Sequence, residues 1–263
     1  MKIEEKMNEI IAQRQFNPIY IYLDTAFLVL LTALLLKQKK YMTVAVGAAA
    51  GLLYMIVDYG IFHLLCHTRS ISDGYSLFWV LLWMSMSYGF TNFVWIWLWI
   101  SRDKNLKEWS LLILMWWFCC PMLAATFGKT EELITIQRTT GAYHGYMALI
   151  LFAGYLGVIL WNLRHQQPTQ KIPVGWILAI GILVQFGWES ALLIGGIRSA
   201  AIASWSDKLN TLIVNSLLET NLGMPYVYAL YILYSSRFTE QMTKRLPKLT
   251  FLEALEENNA RNF

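Results

Sequence analysis

The sequence predicts an all-α polytopic membrane protein with seven transmembrane helices. Of its 263 residues, 57% are hydrophobic and only 14% are charged, and the mean hydropathy is +0.43. A soluble domain carries about 25% charged residues, and a membrane-spanning strand barrel would show short alternating segments instead of long apolar runs. A transmembrane helix needs about 20 apolar residues. Seven runs reach that length, at about 17–36, 42–64, 75–100, 109–127, 141–163, 174–197 and 211–234.

The charged residues predict how the chain is oriented. The first 16 residues, MKIEEKMNEIIAQRQF, lack the apolar region of a cleavable signal peptide. Thirteen of the 21 Lys and Arg residues fall in loops 1, 3 and 5 and the C-terminal tail, and eight fall on the other side. The positive-inside rule therefore places the N-terminus outside and the C-terminus in the cytoplasm. The predicted partner is the lipid bilayer, and the net charge of +4 gives no reason to expect a nucleic acid.

Two similar polar hexads indicate an internal repeat. They read SYGFTN at 87–92 and SLLETN at 216–221, inside apolar stretches where polar residues are rare. Further matches lie upstream of each hexad, at nearly constant offsets. The matched positions are Lys40 with Lys171 and Asp58 with Glu189 at an offset of 131, and Arg69 with Arg198, Ser70 with Ser199, Thr91 with Thr220 and Asn92 with Asn221 at an offset of 129.

The repeat predicts a 3+1+3 arrangement in which two parallel three-helix units flank a linker helix. Seven-helix transporters of the sugar-exporter type use this plan and bind substrates between the repeats. The predicted divisions are an N-terminal polar segment 1–16, a first three-helix repeat 17–105, a linker helix 106–130, a second three-helix repeat 131–236 and a cytoplasmic tail 237–263.

Three carboxylic acids within the predicted spans are the candidate catalytic residues. At 1.5 Å per residue, Asp58 would lie roughly 16 Å below Arg69, and Glu189 roughly 13 Å below Arg198. Both acids would then lie near the bilayer centre, and Glu219 would lie about as deep. An ionised group is costly there and normally faces a cavity or a partner. A purely structural hydrogen-bonding network is the alternative for each.

Polar and aromatic side chains near these acids are the candidate substrate-binding residues, because aromatic faces can hold a cationic or electron-deficient group. The set comprises Asn92, Asn215, Asn221, Tyr88, Trp95, Trp188, Gln185, Tyr226, Arg69 and Arg198. Asp24, in the first span, is more typical of a structural residue. His63 and His67 share one helix face but lack the further ligands of a zinc site. We therefore predict no metal and no other cofactor.

These residues predict an enzyme that acts on a lipophilic small molecule inside the bilayer, with a buried carboxylic acid as the proton donor. Asp58-Tyr59 followed by Arg69 and Ile71, together with the duplicated three-helix unit, resembles the integral-membrane carotenoid (lycopene-type) cyclases. The seven-helix membrane-bound terpene cyclases are also similar. The resemblance implies an isoprenoid-like substrate and acids within membrane helices. The carotenoid cyclases carry paired Glu residues where this chain has its first Thr-Asn pair.

Two other functions fit the same sequence. A SWEET-like transporter of a small solute, with or without proton coupling, would use the repeat, the Thr-Asn pairs and the titratable acids. A receptor or assembly factor without chemistry is the third alternative. Inequality of the two halves favours an enzyme slightly, because Glu219 has Phe90 as its counterpart in the first half.

Overall fold

The computed structural model describes residues 13–129, 132–138, 143–165, 170–198, 202 and 204–245, with side chains up to residue 235. The chain forms two compact units, Met1–Pro225 and Tyr226–Phe263. Ser199, the predicted counterpart of Ser70, lies outside the described residues, as do most of the predicted N-terminal segment and C-terminal tail.

The helices follow the apolar runs of the sequence closely. The described residues contain α1 (Pro18–Lys37), α2 (Tyr41–Leu65), α3 (Leu77–Ile100), α4 (Leu106–Phe127), α5 (His144–Arg164), α6 (Val174–Ile194), α7 (Trp205–Leu218) and α8 (Met224–Arg245). Helices α1 to α6 are each long and apolar enough to cross a membrane. The predicted all-α class and the multi-pass membrane character are thereby supported. The seventh predicted span differs, because a turn at residues 219–223 divides it into α7 and α8.

Two helices begin at residues whose side chains cap free backbone amides. The side-chain oxygen of Asn17 accepts a hydrogen bond from the Ile19 amide at 3.0 Å, and Pro18 follows as the first residue of α1. Ser204 caps α7 by accepting from the Ser206 amide at 3.1 Å. Both residue types are favoured at this position, and proline is favoured directly after it.

Helices α2 and α3 pack against each other through glycines. A Cβ atom on Gly89 would lie 2.8 Å from the Gly51 Cα atom, and a Cβ atom on Gly51 would lie 2.7 Å from the Met86 sulfur. No larger side chain fits there without a shift. Small residues at helix crossings are typical of membrane proteins, where close backbone approach maximises van der Waals contact.

Both of these helices contain π-helical segments, in which hydrogen bonds run from residue i to i+5. Ile56–Leu65 forms the last part of α2, and Met86–Phe90 lies in the middle of α3. Such segments are rare and occur frequently at functional sites. The first contains Asp58 and the second contains Tyr88, so both π segments carry predicted site residues.

The core of the first unit lies around α3. In its most apolar stretch 67% of the residues are buried, against only 6% in α5. Asp24 on α1 ties the central helix to its neighbours, because it accepts hydrogen bonds from the indole nitrogens of Trp83 on α3 at 3.0 Å and Trp116 on α4 at 3.2 Å. The predicted structural role of Asp24 fits this contact.

A small antiparallel sheet, which the sequence did not predict, covers one end of the helices. Its strands are β1 (Gln13–Phe16), β2 (Arg69–Ile71) and β3 (Ile134–Arg138), in the spatial order β1-β3-β2. These strands precede α1 and follow α2 and α4, so the sheet lies at the end where α1 begins. The Gln15 amide also donates to the carbonyl of Ile197, just after α6, at 2.8 Å.

Candidate functional site

A cavity of about 510 Å³ lies beneath the sheet, in the first unit. Residues of α2, α3, α5, all three strands and the turn after α7 form its wall. The polar and titratable lining residues are Arg14, Tyr54, Asp58, Cys66, Arg69, Tyr88, Arg138, Tyr143, Tyr146 and Glu219. The remaining lining residues are Leu53, Val57, Ile61, Phe62, Phe93, Met147, Ile150, Leu222 and Gly223. A volume of this size is typical of a small-molecule site.

Each of the three strands contributes one arginine to the wall of this cavity. In the sheet register, Arg69 pairs with Arg138, and Arg14 pairs with Ile136, two residues before Arg138. Alternate residues of a strand share a face, so the three arginines lie on the same face of the sheet. That face is turned toward the helices, because Arg14 and Arg69 are buried and all three line the cavity.

Two of the arginines form ion pairs with Asp58. Arg69 Nε donates to Asp58 Oδ1 at 2.7 Å, and an Arg138 guanidinium nitrogen donates to Asp58 Oδ2 at 2.5 Å. The predicted separation of roughly 16 Å between Asp58 and Arg69 does not hold. The helix ends at Leu65 and the chain folds back as β2, so the Arg69 side chain reaches down to the carboxylate. Both oxygens of Asp58 accept from guanidinium groups, which suits a charge anchor better than a proton donor.

Burial affects the pKa of each arginine, but all three remain cations at neutral pH. Burial, and then the neighbouring charge of Arg138, lowers the pKa of Arg14 to about 9. The same two causes lower the pKa of Arg69 to about 10. Burial also opposes the charge of Arg138, yet the carboxylates of Asp58 and Glu219 outweigh it and raise the pKa of Arg138 above its ordinary value.

Arg14 differs from the other two in its contacts. Its side chain is only 7% exposed, and within the described part of the chain it makes neither a hydrogen bond nor an ion pair. Buried charges in proteins are normally paired. A buried, unpaired guanidinium in a cavity wall is therefore a candidate binding group.

Glu219 enters the cavity from the turn that separates α7 from α8. The turn is held by hydrogen bonds from the Gly223 amide to the Thr220 carbonyl at 3.1 Å and from the Met224 amide to the Asn221 carbonyl at 3.2 Å. Glu219 Oε2 accepts from Gln185 Nε2 at 2.9 Å. Its other oxygen has no hydrogen-bond partner among the described residues, so Glu219 is the lining carboxylate with a free acceptor position.

Gln185, on α6, connects this carboxylate to the rest of the predicted site. Its side-chain oxygen accepts from the hydroxyl of Tyr88 at 2.7 Å and from the hydroxyl of Thr220. Its nitrogen is shared between Glu219 and Glu189, at 2.9 and 3.3 Å. Gln185 is fully buried, so it holds Glu219 in one position without contacting the cavity itself.

Glu189 lies behind the cavity wall and is paired. Arg198, in the turn after α6, donates to Glu189 Oε1 at 2.9 Å, and Glu189 is fully buried. As with Asp58, the chain reverses after its helix, so the predicted separation of roughly 13 Å does not hold. A separate space of about 10 Å³ lies between Arg14 and Trp188, which is room for about one water molecule. Neither Glu189 nor Arg198 lines the large cavity.

The remaining predicted substrate-binding residues occupy different places. Asn92, Asn215 and Asn221 are buried between helices and do not line the cavity. Trp95 donates to the hydroxyl of Ser110 at 2.8 Å, also away from the cavity. Tyr226 begins the second compact unit. Of the predicted set, Tyr88 and Arg69 are the residues that line the cavity.

Arg14 and Arg138 belong to the site but were not predicted. Both lie in segments too short for a reliable strand pattern. The available signal was the alternation in QRQF and ITIQR, where every second residue faces the helices. Among the described residues, no group of three His, Cys, Asp or Glu side chains could hold a metal ion.

The wall of the cavity includes exposed side chains of α2 and α5. Three apolar lining residues and one tyrosine are largely exposed: Leu53 at 59% and Ile61 at 44% on α2, and Tyr146 at 69% and Ile150 at 45% on α5. Both helices are apolar enough to cross a membrane. A molecule dissolved in the bilayer could therefore enter from the side, through an opening lined by apolar groups.

Comparisons with known proteins yield no relative of this chain: no family model, no curated protein and no solved structure matches it. Its function is therefore inferred from the cavity alone.

Proposed function

We propose that the protein is an intramembrane cyclase or isomerase that acts on a lipophilic, isoprenoid-like substrate. The observation that carries the proposal is the placement of Glu219, the lining carboxyl group that is not paired with an arginine, in a cavity whose wall also holds apolar and aromatic side chains and includes exposed residues of two apolar helices. A small polar solute would gain little from this opening, whereas a hydrocarbon chain could reach the cavity without crossing water. Glu219 replaces the predicted set of three acids as the reacting group, because Asp58 and Glu189 are paired with arginines.

The reaction requires only the transfer and return of a proton. The protonated carboxyl of Glu219 adds its proton to one carbon–carbon double bond, which leaves a carbocation. The electron pair of a second double bond closes a ring onto that cation. Loss of a proton from a neighbouring carbon restores a double bond and reprotonates Glu219, so the overall change is an isomerisation. The rings of Tyr54 and Phe93 offer faces that stabilise a cation, whereas Phe62 already has the Arg69 guanidinium over its ring. Gln185 positions the carboxyl.

The test is the Glu219→Gln variant in purified, folded protein supplied with linear isoprenoids in D₂O. The wild type is expected to form a cyclic or rearranged isomer that carries deuterium, detected by mass spectrometry. The variant should lose turnover by a factor of about 10²–10⁴, the usual contribution of a general acid. Glu132→Gln, at an exposed position, is the matched control and should leave turnover unchanged. Equal turnover in wild type and Glu219→Gln would rule out the proposed role.

We also propose that the chain is a parallel 3+1+3 repeat whose seventh span is interrupted. Two observations support the repeat. The acid–arginine pairs Asp58–Arg69 and Glu189–Arg198 recur at the matched positions, each formed where the chain reverses after a helix. The two hexads each contain a helix irregularity, a π segment in the first and a turn in the second. The proposed orientation, with the N-terminus outside, can be checked by labelling cysteines introduced at each terminus.

Transport is the second candidate function, and the interrupted seventh span favours it. Many transporters bind substrates at discontinuous helices, and the turn at 219–223 separates two helices in this way. Uptake of a solute into proteoliposomes under a pH gradient would support transport. An absence of uptake together with turnover of an isoprenoid would support the enzyme.

A further inference from the structure

The cavity contains more positive charge than its own carboxylates balance. Its wall holds Arg14, Arg69 and Arg138 against Asp58 and Glu219, which gives a formal charge of +1. The Glu189–Arg198 pair behind the wall is neutral by itself. An uncompensated charge is costly to keep out of water, so the site favours a ligand that brings one negative charge.

Hydrogen-bonding capacity is also left over. Arg14 has no hydrogen-bond partner within the described residues, and Arg138 Nε is buried without one. A buried donor such as Arg138 Nε is normally satisfied. Asp58 cannot satisfy them, because both of its oxygens are already occupied by Arg69 and Arg138. The unused donors belong to the same side chains that supply the excess charge.

The sheet register brings the three arginines together. Arg69 and Arg138 are directly paired on adjacent strands, and Arg14 lies diagonally across from Arg138. Directly opposed residues of a sheet are separated by about 5 Å at Cβ, and diagonal neighbours by about 7–8 Å. Three guanidinium groups at this spacing can surround one tetrahedral or planar oxyanion, for which their planar donor geometry is well suited.

We propose that Arg14, Arg69 and Arg138 bind the anionic group, a phosphate or a carboxylate, of an amphiphilic ligand whose hydrocarbon chain fills the apolar part of the cavity. The arginines lie under the sheet at the end of the helices, where a polar head group can stay near the membrane interface. The chain can leave through the opening between α2 and α5. The ligand class is thus an anionic lipid or a prenyl-type phosphate or carboxylate.

This inference rests on the proposed function, because it names the class of the lipophilic substrate. A bound anionic group is also chemically compatible with the proposed carbocation reaction. A carbocation would be repelled by an uncompensated guanidinium charge, whereas an anionic group bound to the arginines would cancel that charge. With Glu219 protonated for the reaction, the wall carries +2, so a singly charged group lowers this charge to +1 and a doubly charged phosphate cancels it before the proton is transferred.

A competing explanation is that the arginines only attach the sheet to the helices. Arg69 and Arg138 do serve this purpose through Asp58. Arg14 makes no hydrogen bond or ion pair among the described residues. The nearby carboxylates of Glu189 and Glu219 favour its charge, but a purely structural account leaves its hydrogen-bond donors without a role. Arg14 is therefore the residue whose replacement separates the two explanations.

The experiment measures binding of three probes to the full chain in a non-ionic detergent: dodecyl phosphate, dodecanol and inorganic phosphate. Dodecyl phosphate is expected to bind the wild type more tightly than dodecanol, and inorganic phosphate is expected to bind too weakly to compete. Arg14→Gln should weaken dodecyl phosphate binding by roughly 10- to 100-fold, the range of a lost charged hydrogen bond. Arg164→Gln, at an exposed position on α5, is the control and should bind like the wild type.

Each alternative has its own outcome. Equal binding of dodecyl phosphate and dodecanol to the wild type would overturn the anion site, even if Arg14→Gln failed to fold. Competition by inorganic phosphate at the same concentration as dodecyl phosphate would show that the site binds a soluble anion. This result would overturn the proposal that the ligand is an amphiphile. Glu219→Gln separates this inference from the proposed enzyme, because it should abolish turnover yet retain or strengthen dodecyl phosphate binding.

Discussion

At the scale of single residues, the Asp58 carboxylate forms ion pairs with two guanidinium groups of the cavity wall and balances one of their charges. Asp58 is 4% exposed and accepts from Arg69 and Arg138 with separate oxygens. The pair of contacts fastens β2 and β3 to the π-helical end of α2. Removing the carboxylate would leave two largely buried guanidinium groups without their counter-charge, which is far more costly than removing a whole ion pair.

We therefore expect Asp58→Asn to destabilise the protein by about 3–5 kcal/mol, the usual cost of leaving a buried charge unpaired. The substitution keeps the side-chain shape, so the loss would come from charge. Thermal unfolding in detergent measures the effect. Asp73→Asn, at an exposed site between β2 and α3, is the control and should change stability by less than about 0.5 kcal/mol. A melting temperature for Asp58→Asn equal to that of the wild type would contradict the anchoring role.

The sequence predicted some site residues and missed others for identifiable reasons. Asp58, Glu189 and Glu219 were found because a carboxylic acid in an apolar run is rare. Their roles were not predictable, since the pairing of Asp58 with Arg69 depends on a chain reversal after α2. Arg14 and Arg138 looked like ordinary loop cations. Only the sheet, which joins segments more than 100 residues apart, brings them to the cavity.

At the scale of helices, the contact between α2 and α3 fixes the position of both π segments. Gly51 and Gly89 allow the two backbones to approach closely, and Gly89 belongs to the π segment Met86–Phe90 of α3. This packing places Tyr88 against the cavity and within 2.7 Å of Gln185. A change at the crossing should therefore reach the site.

We expect Gly89→Ala to reduce the free energy of unfolding by about 1–3 kcal/mol, the range for overpacking a tight contact. The added methyl group would meet backbone atoms of Ala50 and Gly51 at 2.8–3.1 Å. Gly157→Ala on α5 is the matched control, because a Cβ atom there meets nothing within 4 Å. The control should be neutral or slightly stabilising, since alanine favours helices. Equal stabilities for the two variants would argue against the close crossing.

The bounds of α1 to α6 were predictable within a few residues because long apolar runs define them. The three strands were not, since none exceeds five residues and such segments carry no clear periodicity. The turn between α7 and α8 could have been recognised from Gly223 and Pro225, because glycine before a helix and proline in its first turn mark a new start. The residues on both sides of this turn are mostly apolar, so the sequence was interpreted as one continuous span.

At the scale of the whole molecule, the cavity connects two environments. Its arginines lie beneath a sheet at one end of the helices, and its apolar wall opens between α2 and α5. This arrangement matches an amphiphile, with a polar end near the membrane interface and a hydrocarbon chain in the bilayer. It fits a compact neutral solute less well, because such a solute would leave the excess positive charge of the wall uncompensated.

The most direct test of this account is an electron cryo-microscopy structure of the protein in lipid nanodiscs. We predict elongated density in the cavity, with one end against Arg14 and Arg138 and the other leaving between α2 and α5 near Ile61. Glu219 should lie beside the chain. Compact density that contacts only polar groups, or a cavity closed to the lipid by contact between α2 and α5, would contradict the central claim that this site binds an anionic lipophilic molecule.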